Sequence, residues 1–94
     1  MKFLAIAKVL VPREQLAPHM PKEPAATLKL YVDGILEQFW YAENTGPVFL
    51  LNAESAEAAR AALATLPLTA ANLVVYDLLP LGPLVPLRGL IPAA

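Results

Sequence analysis

Four side chains of this sequence have the chemistry to move a proton or hold a developing charge: Lys8, His19, Glu37 and Asp77. His19 is the only histidine, and histidine alone has an unperturbed pKa near neutrality. It sits between Pro18 and Met20 in a proline-rich stretch, where it serves either as a general acid or base beside a pocket or as a solvated loop residue. Lys8 suits an anion or an enolate-like intermediate. The other reading of Lys8 is an ion pair with Asp77, because a charge on a mostly apolar face needs a partner. Glu37 is the best-placed acid of its strand for proton transfer if burial raises its pKa, and otherwise an ordinary charge at a sheet edge. Trp40 and Tyr41 point to opposite faces of one strand, so at most one of them can line a given pocket. Either could stack on a planar ligand or serve as core or interface. Ile6 and Val75 would add apolar lining on the face that carries Lys8.

Other chemistries lack their residues. With one histidine and no cysteine there is no thiol nucleophile, no disulfide and little from which to build a zinc or iron site. No glycine-rich phosphate loop and no Ser–His–Asp set in suggestive context occurs. The net charge is −1 and the seven basic residues are scattered, so the electrostatic footprint of a nucleic-acid binder is missing.

The elements that would position these residues follow from periodicity. Lys2–Leu10 alternates as a first strand, with Phe3, Ala5, Ala7 and Val9 on a wholly apolar face. Prolines at 12, 18, 21 and 24 keep Val11–Pro24 irregular, with room for one helical turn near Arg13–Ala17. Pro24 then opens a helix running to about Val32, its apolar stripe read as Ala25, Leu28, Val32 and Ile35, with Gly34 as the stop. Lys29 and Asp33 can pair along it. Ile35–Glu43 and Val48–Leu51 form a hairpin about Asn44-Thr45-Gly46-Pro47. Ser55 caps an alanine-dominated helix, Ala56–Leu66, that Pro67 ends. Asn72–Leu79 is the last strand, with Tyr76 turned to the helices and Val75 and Asp77 turned away.

The order β-α-β-β-α-β describes an α+β domain of ferredoxin-like type over residues 1–82, a four-stranded antiparallel sheet with two helices on one face. The sheet face away from the helices carries Leu4, Ile6, Leu73, Val75 and Leu79, and 57% of all residues are hydrophobic. That is more apolar surface than 94 residues can hide, so a second copy is expected to cover the face, sheet to sheet. Residues 83–94 form an apolar, proline-rich tail expected to strap a neighbouring subunit. Lys8 interrupts the apolar start, and Pro80, Pro83 and Pro86 would break a spanning helix near the end, so neither segment reads as a membrane or targeting element. The absence of cysteine fits a cytoplasmic protein.

Three stretches resemble muconolactone-isomerase-like proteins. Leu30-Tyr31-Val32-Asp33-Gly34-Ile35-Leu36-Glu37-Gln38-Phe39-Trp40-Tyr41 is similar to the end of that family's first helix and its second strand. The run from Ser55 through Leu66-Pro67-Leu68 is similar to its second helix and Leu-Pro-Leu exit, and Leu79-Pro80-Leu81 to the end of its last strand. The resemblance spans roughly residues 1–82. It implies a dimeric α+β barrel, a small organic ligand, proton transfer within an unsaturated lactone, and no metal or organic cofactor. Relatives carry arginines around the second strand where this chain has Glu37 and Ala42, so a more neutral ligand is expected. A ligand-binding or interaction module without turnover, and a cofactor-free monooxygenase or cyclase of the same superfamily, are the alternatives.

Overall fold

Alternation along the first segment survives as β1 (Lys2–Val9) in the computed structural model, which describes residues 1–82. The expected strap over residues 83–94 lies outside the described residues. Phe3, Ala5 and Ala7 are buried on one face of β1, whereas Leu4 and Ile6 are half-buried on the other. The loop that follows holds two short helical turns, Arg13–Gln15 and Met20–Lys22. Then come α1 (Glu23–Val32), β2 (Leu36–Ala42), β3 (Gly46–Asn52), α2 (Ala56–Leu63), α3 (Pro67–Ala70) and β4 (Val74–Leu81). The sheet order is β2-β3-β1-β4 and every pairing is antiparallel. The architecture is α+β, an open four-stranded sheet with three helices, consistent with the ferredoxin-like arrangement.

Local chemistry explains the punctuation. Asn44 (φ 61°) and Gly46 (φ 126°) supply the left-handed backbone of the β2–β3 turn, and the Thr45 N–H donates to the Ala42 carbonyl at 3.1 Å. A Cβ on Gly46 would meet that of Ala7 at 3.4 Å, so the hairpin lies close on β1. Ser55 caps α2, its Oγ accepting from the Ala58 N–H at 3.1 Å. Lys29 and Asp33 pair at 2.8 Å along α1.

Two helical details depart from the periodicity. Pro67 begins α3 instead of merely closing the preceding helix. Leu66 is extended (ψ 135°) and breaks the run, and a proline costs nothing at a first helical position, where its missing N–H would have no helical partner. On α1 the inward residues are Ala26 and Leu30, not the stripe through Leu28 and Val32, which are 53% and 80% exposed. The loop before α1 sets its rotation, and a ten-residue helix with few large side chains specifies its own face weakly.

The core lies between the helices and one sheet face. Phe3, Leu36, Leu51 and Leu66 are its largest fully enclosed side chains, each contributing about 1.5–3 kcal/mol relative to exposure. Across the sheet, Leu4, Ile6, Val48 and Leu50 are only half-buried, while Trp40, Val75, Leu79 and Leu81 are exposed. No described element covers this second face.

Candidate functional site

On the helix side the sheet outruns its helices. The strand ends around Val9, Val74 and the β2–β3 turn are roofed by the 11–22 loop, and between loop and sheet lies a cavity of about 650 Å³. That is the size of a small-molecule site. Its floor is aromatic: Tyr41 from β2, Phe49 from β3 and Tyr76 from β4. The Phe49 and Tyr76 rings stack with centroids 5.6 Å apart. Leu16 and Met20 line it from the loop, Glu23 and Thr27 from the first turns of α1.

The polar groups are few. Glu23 is half-buried, and its Oε2 accepts the backbone N–H of Leu68 at 3.2 Å. Burial pushes its carboxyl above the ordinary carboxylate value, against the smaller opposing pull of the Leu68 hydrogen bond and of nearby His19. Burial also pushes the Tyr76 phenol well above its usual value, and the Glu23 charge adds to that. Arg13 Nη2 donates to the Tyr41 hydroxyl at 3.0 Å, clasping the loop to β2. Thr27 spends its hydroxyl on the Glu23 carbonyl of its own helix.

The residues singled out by type fall into three places. His19 and Tyr41 belong to the cavity region, His19 half-buried in the loop and in electrostatic reach of Glu23, Tyr41 in the lining. Lys8, Asp77, Ile6, Val75 and Trp40 lie on the opposite, open face of the sheet, where Ile6 stands opposite Asp77 and Lys8 opposite Val75. Lys8 and Asp77 are thus diagonal neighbours, and the ion pairs among the described residues do not include them. Glu37 sits at a bulge at the far end of the sheet and pairs with Lys2 Nζ at 2.6 Å. Lys2 is about 20 Å along the strand from Lys8, so within one chain the four titratable candidates do not converge. The Lys2–Glu37 pair is substantially exposed, the class worth about 0–1 kcal/mol.

Glu23 and Tyr76 are the cavity groups that residue-type reasoning passed over. Alternation did turn Tyr76 toward the helices. The missing piece was that a loop, rather than a helix, lies above it, and nothing in the periodicity of a proline-rich loop says where it folds. Among the described residues no cluster of three His, Cys, Asp or Glu could hold a metal ion, and no helix is long and apolar enough to cross a membrane. No protein-family model matches the chain, and no curated protein matches it.

Proposed function

We propose that this protein is a homo-oligomer that binds a small organic compound in the cavity beneath the 11–22 loop and moves a proton within it, without a cofactor, in a lactone-like cyclic substrate. The observation that carries the reading is Glu23, a carboxyl desolvated in a cavity of ligand size. Desolvation brings a carboxyl nearer the range in which it both takes and returns a proton at working pH. His19, a short way off in the loop, is the second group able to exchange protons there. The lactone class comes from the resemblance to muconolactone-isomerase-like proteins.

The open face supports the oligomeric part. It is apolar over Leu4, Ile6, Val48, Leu50 and Leu79, and apart from Lys2, which is paired with Glu37 at its end, it carries Lys8 and Asp77, which do not pair with each other. A two-fold axis through such a face sets Lys8 of one copy against Asp77 of the other, which is self-complementary. The result is the two-sheet barrel.

One observation favours a binding module without turnover: the Glu23 carboxylate already serves as acceptor for Leu68. Proton NMR with muconolactone and related lactones in deuterated water separates the two readings. Deuterium uptake above the buffer rate, lost in Glu23→Gln, is expected of the isomerase. Binding without exchange across the panel leaves the module.

A further inference from the structure

Tyr76 is 7% exposed as a residue, and its hydroxyl makes no hydrogen bond among the described residues; the oxygen is not sealed off, since the fully enclosed side-chain atom left without a partner among them is Thr69 Oγ1, and the phenol lines the cavity. A phenol hydroxyl open to a cavity is paired with water until a ligand oxygen takes that place. The side chain is held rather than loose, because its ring stacks on Phe49 and its backbone sits in the β1–β4 ladder opposite Ala7. It lines the cavity beside Glu23.

We propose that the Tyr76 hydroxyl donates a hydrogen bond to the ligand, and that the ligand is a compact, uncharged ring bearing a carbonyl oxygen. This rests on the reading of the cavity as a ligand site. The chemistry of the lining selects the class. Burial and the neighbouring carboxylate both keep the phenol protonated, so Tyr76 presents a fixed donor. Glu23 engages one oxygen with Leu68, and the other makes no hydrogen bond among the described residues. A negatively charged ligand group placed against Tyr76 would lie close to that carboxylate and be repelled. The cation of the lining, Arg13, is turned to Tyr41. Leu16, Met20, Phe49 and Val74 ask for an apolar body. A carbonyl on an alicyclic ring meets all of these requirements.

Three probes built on one six-membered ring test the class: cyclohexanone with an isotope-labelled carbonyl, methylenecyclohexane, and cyclohexanecarboxylate. Binding is followed through the backbone amide NMR shifts of cavity residues, and the bound ketone through its infrared carbonyl band. The expected result is a band moved to lower frequency, as for a carbonyl accepting a hydrogen bond, with cyclohexanone the tightest binder. Tyr76→Phe, which keeps the stacked ring, should abolish the band shift and weaken the ketone by roughly tenfold. Glu23→Gln should keep the shift. An unshifted carbonyl band in the wild type, equal ketone affinity in Tyr76→Phe, or tighter binding of either other probe would overturn the assignment while leaving the cavity a ligand site. If no probe moves the cavity amides, the cavity reading fails, and the assignment with it.

Discussion

Glu23 Oε2 accepts the backbone N–H of Leu68 at 3.2 Å, joining the first turn of α1 to the first turn of α3 across 45 positions of sequence. Leu68 has one of the N–H groups that a helix start leaves without an internal partner, and a carboxylate is a strong acceptor for it. The bond closes the cavity wall on the side of Tyr76. It also places a desolvated acid where its charge is felt by a buried phenol.

That position makes stability depend on pH through Glu23. Its folded pKa lies above the ordinary 4.5, because burial outweighs the hydrogen bond and His19. The folded state therefore holds the proton more tightly than the unfolded chain. The contribution to stability is complete below pH 4.5 and is lost as pH rises through the folded value. Glu23→Gln removes this dependence while keeping an oxygen for Leu68. Thermal melts should show the variant gaining on the wild type as pH rises through that window. A constant difference across it would mean that Glu23 is not desolvated.

Tyr76 gives the alkaline counterpart. Its folded pKa is raised above the ordinary 10.0, by burial first and by the Glu23 charge second. Stability is fully present below pH 10 and falls as pH climbs toward the folded value. Phenolate absorbance from Tyr76 should accordingly appear only as the fold gives way. The wild type and Tyr76→Phe should show the same phenolate amplitude up to the unfolding transition. An extra phenolate in the folded wild type would mean that the fold does not desolvate the phenol.

Much of this architecture was legible because short-range physics decides it. The alternation of Phe3, Ala5 and Ala7 against Leu4 and Ile6 gave the two faces of β1, and Ser55 and Gly34 marked helix ends through cap and left-handed backbone. The rotation of α1 was not legible, since Leu28 and Val32 look as core-like in sequence as Leu30 does. Nor was the cavity, which exists because the 11–22 loop folds over Tyr76 and Phe49, a long-range outcome with no periodic signature. Titratable residues on strands drew attention by their type. Glu23, inside the Val11–Pro24 stretch that its prolines mark as irregular, did not.

Ser55 offers a clean test of the helix that covers the far half of the sheet. Its side chain has no other hydrogen-bond partner among the described residues than the Ala58 N–H, and it is exposed. Ser55→Ala should cost about 1 kcal/mol in denaturant unfolding, with an unchanged slope. Glycine at the same position should cost only a few tenths. Equal losses for the two would remove the cap from the account of α2.

The open face is tested where its charges and its apolar surface meet. Ile6 stands opposite Asp77, so Ile6→Glu sets two acids side by side within one copy and drives a charge into any second sheet laid on top. Val75 stands opposite Lys8, and Val75→Lys does the same with cations. Both positions look away from the core, so the isolated fold should tolerate either change far better than an interface would. Light scattering should find the wild type as a multimer and each variant at monomer mass, with circular dichroism unchanged. Combining Lys8→Glu with Asp77→Lys reverses both charges and keeps them complementary across a two-fold axis. That double variant should assemble where each single reversal weakens assembly. Assembly indifferent to all of these changes would place the interface elsewhere, with the exposed Leu28, Tyr31 and Val32 of α1 the next surface to alter.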